Sequence, residues 1–486
     1  MLYCNEVYYA IQRENCPGNR MKKQRNIMEK IRIKEQYKRL VKLSFAAVML
    51  LGLCSLYGVT WIGFYNKFVL QRSFYRRGNW VIILLYGILL WFFMNTYGGF
   101  KVGYLKRGNL LYSQIMAVIF TNIITYIQIA IIDLRFANPI YMILITVGDA
   151  VFIVLWTQVF QTIYGRLFPP RKMLFIEGDR RDYHLMDKIN SREDKYEICE
   201  VVSYKIGMEQ IAEKILAYDS VIIGDMPSHE RNLVLKYCYD MGIRSYSVPK
   251  ISDVLLRSSD ELNLFDTPLM LSRNIGLNIE QQWVKRLEDI IFAFLMLVLF
   301  SPVFLIAAIS IKCTDGGPVF YKQARLTKDR KEFEIYKFRT MIVDAEKYSG
   351  PILASEKDPR ILPIGRFLRA TRLDELPQVL NILKGEMSLV GPRPERPELI
   401  KEIEREIPEF SYRLKVKAGL TGYAQVYGKY NTTSYDKLKL DLMYIRKYSI
   451  LLDLKLILMT PKIMFLKEST EGVTPEVEIQ EGKLEK

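Results

Sequence analysis

Residues 290–311, IIFAFLMLVLFSPVFLIAAISI, decide how the rest of the chain is arranged. The run is long enough for a transmembrane helix, which takes ~20 apolar residues. Two features turn it away from a simple span. Ser301-Pro302 stands in its middle, and a proline there removes a helical hydrogen bond and bends or breaks the helix. Both flanks are basic: Lys285 and Arg286 precede it, and Lys312, Lys322, Arg325, Lys328, Arg330 and Lys331 follow, with Lys337 and Arg339 beyond. Positive charge holds flanking segments on the cytoplasmic side. The expectation is a broken, re-entrant helix over 285–312 whose two ends share one face. The alternative is a kinked fifth span, which would place everything after it outside the cell.

Upstream, four apolar runs (Leu43–Phe64, Trp80–Thr96, Leu110–Ile132 and Tyr141–Ile163) each approach spanning length. They predict a four-helix transmembrane region over 43–168. A basic, polar tail at 1–42 precedes it and places the N-terminus in the cytoplasm. Lys67, Arg72, Arg76 and Arg77, in the first outside loop, disagree with that topology. After Pro169-Pro170 the pattern changes. Short apolar strands at Met173–Ile176, Tyr196–Val202 and Ser220–Ile223 alternate with helical segments. That alternation predicts a Rossmann-like α/β domain over 171–270 with a parallel sheet. The first strand runs into Glu177-Gly178-Asp179-Arg180-Arg181 without GxGxxG, so a dinucleotide is not expected there. Subunit contact or regulation is its expected work, with a homodimer as one outcome.

The formal charge of +16 over 486 residues asks for anionic partners: membrane lipid or phosphorylated substrates. No recognition module supports nucleic acid. The six cysteines are scattered without CxxC, so neither a disulfide framework nor a zinc site is indicated. His184 and His229, the two histidines, lie far from the stretch that carries chemistry.

That stretch is Arg366–Pro397, RFLRATRLDELPQVLNILKGEMSLVGPRPERP. Asp374 and Glu375 open an amphipathic helix, with Pro377 in its first turn and Gly385 as its stop. Arg366, Arg369 and Arg372 stand before it, and Gly391-Pro392-Arg393-Pro394 after. A helix start ringed by arginines attracts anions. Two carboxylates repel a bare polyphosphate unless a divalent cation joins them. The residue types therefore suggest a phosphate-bearing substrate, a hard metal and a carboxylate. An ordinary acidic helix start is the bland reading.

An ordered set of motifs resembles the bacterial sugar transferase family of monotopic phosphoglycosyl transferases. The set comprises KRLEDI at 285–290, the Ser301-Pro302 break, GGPVFYKQARL at 316–326, FEIYKFRTM at 333–341, RLDELPQ at 372–378, LVGPRPE at 389–395 and GLTGYAQV at 419–426. The resemblance covers Lys285 to about Leu466 and implies an α+β monotopic catalytic domain over 280–467; the polar composition of 468–486 predicts a disordered tail. The four-helix and α/β regions upstream resemble the long subgroup that acts on undecaprenyl phosphate. Ala418 stands where the family usually has proline, so a looser loop is expected.

The resemblance implies transfer of a sugar-1-phosphate from a UDP-sugar to a polyprenyl phosphate at the cytoplasmic face of a bacterial membrane, releasing UMP. This is the initiating step of a surface glycan. It implies Asp374 as covalent nucleophile, Glu375 as the ligand of Mg²⁺, and Arg339, Arg369, Arg372 and Arg393 as phosphate clamps. Lys285 and Arg286 would hold the lipid phosphate. The rival reading is a non-catalytic, membrane-anchored scaffold or regulator.

Overall fold

The computed structural model describes residues 18–71, 73–179, 183–257, 259–264, 266–272, 276–343, 358, 360–429 and 432–464. The first part of the basic tail, 1–17, and the tail expected at 468–486 lie outside them. The chain divides into two compact units, Met1–Lys250 and Ile251–Lys486. The boundary therefore falls before residue 270, where the sequence pattern placed it.

In the first unit, α1 (Gly18–Thr60) continues as a π-helical turn to Val69, followed by α2 (Arg77–Tyr97), α3 (Arg107–Asp133) and α4 (Ile140–Leu167). All four are long and apolar enough to cross a membrane. Their interior is not purely apolar. Asp149 on α4 is buried and accepts from Asn122 of α3 at 3.1 Å and from Tyr86 of α2 at 3.4 Å. Polar side chains in such a setting pair with one another because lipid offers no partner.

A four-stranded parallel sheet follows, built from β1 (Arg171–Glu177), β2 (Tyr196–Ser203), β3 (Ser220–Ile223) and β4 (Arg244–Ser247) in the order β2-β1-β3-β4. Helices α5 (Tyr183–Asn190), α6 (Met208–Ile215) and α7 (Ser228–Asp240) connect the strands. Both faces of β1 are covered. Leu174 and Ile176 pack with Ile211, Ile215 and Val234, while Met173 and Phe175 pack on the other side with Leu185 and Met186. This explains why β1 reads as an unbroken apolar run rather than an alternating one.

The second unit opens with α8 (Ile251–Arg257) and the hairpin β5 (Asp260–Leu264) and β6 (Thr267–Leu271). Helices α9 (Ile279–Leu299) and α10 (Ser301–Asp315) then meet at a 61° bend. The local chemistry accounts for the break. Pro302 has no N–H to give the carbonyl of Val298, and the Ser301 hydroxyl donates to that carbonyl instead at 2.9 Å. Asn278 and Gln281 form a reciprocal capping box at the start of α9.

The hairpin β7 (Phe320–Leu326) and β8 (Glu332–Phe338) follows, then α11 (Pro363–Ala370) and α12 (Gln378–Lys384). Beyond them come β9 (Ser388–Val390), α13 (Pro397–Glu406), β10 (Gly419–Thr421), α14 (Tyr423–Tyr427), α15 (Ser434–Arg446) and α16 (Ile450–Met464). One core joins Ala293, Phe333, Val379, Ile382, Leu389, Tyr444 and Leu456. A second joins Ala307 and Ile311 of α10 to Phe338, Leu368 and Leu376. It fixes the residue that follows Glu375 against the bent helix pair.

Candidate active site

Asp374 and Glu375 lie on a single 3-10 turn, Leu373–Glu375, that precedes α12. The expected helix start at this pair is therefore corrected: Pro377 is the N-cap, and α12 begins at Gln378. The turn is entered through Arg372, whose φ of 58° is left-handed. A side chain bearing Cβ adopts that conformation at a cost, and such strain gathers at functional positions. Gly385 ends α12 at φ 86°, as its position in the sequence suggested. In a 3-10 turn, successive side chains point about 120° apart, so the two carboxylates face different surroundings.

Their surroundings differ sharply. The Oε1 atom of Glu375 accepts from Lys337 Nζ at 2.8 Å and from Arg393 at 2.9 Å. Burial opposes ionisation of Glu375, but the Arg393 and Lys337 charges and their hydrogen bonds outweigh it and hold the carboxyl below its usual range. Asp374 moves the other way. Burial first, and the Glu375 charge second, raise it above the ordinary range, against the pull of Lys337, Arg372 and Arg369. Its Oδ1 atom is buried with no hydrogen-bond partner. An orphaned buried carboxylate oxygen is costly.

Three supports position the cluster. Asn381 on α12 donates to the Glu334 carbonyl at 2.7 Å and accepts from Tyr336 N–H at 3.0 Å, which registers β8 and hence Lys337 against the turn. The Gly391-Pro392-Arg393 loop is pinned by Gly391 N–H to the Thr421 carbonyl at 2.8 Å and by Gly419 N–H to the Pro392 carbonyl at 2.9 Å. A Cβ on Gly391 would come within 2.4 Å of the Lys417 carbonyl, so only glycine allows this approach. Arg413 donates to the Arg393 carbonyl at 3.0 Å and pairs with buried Asp441.

The structure gathers Arg369, Arg372 and Arg393 around the acid pair. It does not bring Arg339 there. That guanidinium is buried and forked onto Asp315 at the end of α10, with Nε on the Pro318 carbonyl at 2.7 Å. There it braces the bent helix pair against the hairpin. Lys285 and Arg286 also make contacts within the fold. Lys285 is buried and bound to Asp453 of α16 at 2.5 Å. Arg286 donates to the Ile382 and Leu383 carbonyls at 2.6 and 2.7 Å, satisfying the end of α12. Ala418 does not loosen its loop. Its N–H donates to Thr327 at 3.1 Å, a bond proline could not make, and its carbonyl accepts from Ser388 at 2.8 Å.

Lys337 is the residue the sequence reading did not single out for the site. The available signal was strand alternation, which puts Lys337 and Arg339 on one side of β8 and its extension.

Comparison with known proteins places the second unit. The family described as bacterial sugar transferase matches residues 280–467. A UDP-glucose:undecaprenyl-phosphate glucose-1-phosphate transferase of Klebsiella pneumoniae is 37% identical over 256 residues, 52% of this chain and 53% of that protein. A UDP-N-acetylgalactosamine-undecaprenyl-phosphate N-acetylgalactosaminephosphotransferase of Aeromonas hydrophila is 40% identical over 181 residues, 37% of this chain and 43% of that one. A Bacillus subtilis relative, provisionally described as an undecaprenyl-phosphate N-acetylgalactosaminyl 1-phosphate transferase, is 47% identical over 131 residues, 27% of this chain and 73% of that protein. The chain thus spans about half the length, or less, of the first two relatives.

Proposed function

Because this chain belongs to the bacterial sugar transferase family, we propose that it moves a sugar-1-phosphate from a UDP-sugar to a polyprenyl phosphate and releases UMP, the opening step of a surface glycan. The observation that carries the division of labour is the asymmetry of the acid pair. Glu375 is held by two cations, while Asp374 keeps one buried oxygen uncommitted.

Asp374, as carboxylate, attacks the β-phosphorus of the UDP-sugar. The bond from that phosphorus to the bridging oxygen breaks, and the electron pair leaves with UMP. The enzyme then holds the sugar phosphate as an acyl phosphate. A polyprenyl phosphate oxygen attacks the same phosphorus and returns Asp374 as carboxylate, so no redox partner or net proton is needed. A raised pKa makes the ionised carboxylate a stronger nucleophile, and Lys337, Arg369 and Arg372 keep the ionised form accessible. Arg393, Arg369 and Arg372 are the phosphate contacts, since guanidinium matches phosphate oxygens two at a time.

The donor set also fits Mg²⁺. It offers two adjacent hard carboxylates, and among the described residues no group of three or more acidic, His or Cys side chains would hold an ion alone. Mg²⁺ characteristically takes one or two carboxylates and completes its shell with substrate phosphates and water. Glu375 would hold it; when bound, it neutralises phosphate charge and eases departure of UMP.

The bent pair α9–α10 acts as a re-entrant anchor, with the acid pair on the cytoplasmic face where UDP-sugars are found. The Rossmann-like α/β region binds no dinucleotide and serves subunit contact or regulation. The test is incubation with labelled UDP-sugar and no lipid acceptor. Wild type should release UMP and leave sugar phosphate on the peptide containing Asp374, and Asp374→Asn should do neither. Kinetics that demand both substrates bound together, with no adduct, would replace this route by direct transfer.

A further inference from the structure

The four apolar helices of the first unit meet around one carboxyl group. Asp149 on α4 and Asn122 on α3 are each 1% exposed, and both stand near the middle of their apolar runs. Tyr86 reaches the same carboxyl from α2. From α1, Cys54 packs on Gly87, the residue after Tyr86, and lies within the field of Asp149. Cys54 and Tyr57 of α1 and Tyr86 of α2 are the titratable groups around it; α3 supplies the neutral Asn122. Among the described residues no cation pairs with Asp149. An ionisable side chain in such a bundle is rare and is either paired or functional.

The hydrogens do not suffice for the oxygens. Asn122 spends both amide hydrogens, one on the Thr146 hydroxyl at 2.9 Å and one on Asp149 Oδ2 at 3.1 Å. Thr146 passes its own hydrogen to the Met142 carbonyl at 2.8 Å. The Tyr86 hydroxyl also turns to Oδ2, at 3.4 Å. Both donors to the carboxyl therefore converge on one oxygen. Asp149 Oδ1 and Asn122 Oδ1 are left buried without a partner. The Tyr57 ring stacks on Tyr86 with centroids 4.0 Å apart, but its hydroxyl is bonded to neither oxygen. Two planar groups joined at one end by N–H···O thus each keep an unserved acceptor, and a single hydrogen would satisfy both. The length of the Tyr86 contact agrees, because an ionised carboxylate draws a hydroxyl to about 2.5–2.7 Å.

We propose that Asp149 is a proton-binding site inside the helix bundle, its Oδ1–H donating to the amide oxygen of Asn122 and closing a cyclic acid–amide pair between α4 and α3. The carboxylate takes one proton from water as the helices assemble. One O–H bond forms on Oδ1, the negative charge is cancelled, and nothing is oxidised or reduced. Apolar surroundings favour the uptake, since neutral donors alone stabilise a buried carboxylate poorly. An alkali cation is the competing occupant, but it needs a shell of oxygens and only two acceptors here are uncommitted. Packing of α3 on α4 is thereby coupled to proton binding: without the proton, the two groups keep a single N–H bond. The site lies in the first unit and is independent of the transfer reaction proposed above.

The test is infrared difference spectroscopy on the full chain in nanodiscs at neutral pH, wild type minus Asp149→Asn. The carbonyl stretch of an un-ionised carboxylic acid lies apart from carboxylate and amide bands. Wild type should show one such band that Asp149→Asn lacks; other buried carboxyls, Asp374 among them, occur in both proteins and cancel. Asn122→Ala should keep the band and move it to higher frequency, because the acid has lost its amide partner. Where Asp149→Asn does not fold, carbon-13 in the aspartate carboxyls of wild type and Asn122→Ala gives the same reading: the isotope marks aspartic acid bands, and the one that moves between the two proteins belongs to Asp149. A difference spectrum without the acid band overturns the proposal. A band that stays in place in Asn122→Ala overturns the pairing with α3. A band that appears only after choline replaces sodium and potassium gives the site to an alkali cation and overturns the proton.

Discussion

At the residue scale, the acid pair behaves as two differently tuned carboxyls, and the pH profile should expose this. In the proposed route Asp374 attacks as the carboxylate, so adduct formation should fail below its pKa, which lies above the ordinary aspartate range. Glu375→Gln removes a neighbouring negative charge and should move the acid limb of adduct formation to lower pH. Lys337→Met removes a positive charge and should move it to higher pH. A stopped assay of labelled adduct against pH, without acceptor, reads both shifts; movement in the same direction would contradict the assigned fields. Arg339 calls for the opposite kind of test. Its fork onto Asp315 makes it structural, so Arg339→Lys should lower stability by about 2 kcal/mol, the scale of lost hydrogen bonds between charged groups. Thermal unfolding in detergent measures this, with KM for the UDP-sugar changing little in the enzyme that remains folded. The clustering of Asp374, Glu375 and Arg393 was legible because their motifs lie close together in sequence. The exchange of roles between Lys337 and Arg339 was not. Both lie on one side of the strand, and only the arrival of Asp315 on α10 decides which of them is captured.

At the element scale, the break at Ser301-Pro302 was legible because proline's missing N–H is a local fact. The hydroxyl that serves the Val298 carbonyl shows why serine is an effective companion. The 61° bend allows both ends of the pair to leave on one face. Cysteines replacing exposed Glu280 and Arg330 should react with a membrane-impermeant reagent on the same side of sealed vesicles. Labelling from opposite sides would make the pair a span. The start of α12 was less legible. Asp-Glu before Pro reads equally well as a first helical turn or as a separate 3-10 turn. The left-handed Arg372 that settles the matter leaves no mark in the sequence.

At the scale of the whole molecule, the alternation of apolar runs with charged segments made both units visible, while their boundary was not. The residues from Ile251 to Leu271 carry strand and helix patterns like those before them, yet they group with the second unit. Ile251 and Val254 join its core, which no local pattern announces. The Bacillus subtilis relative aligns over 73% of its own length with only 27% of this chain, so the matched region recurs without a counterpart of the first unit. A chain reduced to residues 251–486 should therefore keep UMP release in nanodiscs, at a rate within about tenfold of the full chain if the loss amounts to no more than ~1.4 kcal/mol of barrier. Absence of turnover in a correctly folded truncation would assign the first unit a direct part in the reaction. The bond between Lys285 and Asp453 also imposes an order on biosynthesis. The two residues lie 168 positions apart, so the helix pair leaves the ribosome long before the carboxylate that neutralises its base. During that interval Lys285 has no Asp453 to pair with. When α16 folds back, the ammonium passes from water into a buried ion pair that ties the first helix of the bent pair to the last described helix of the chain's second unit.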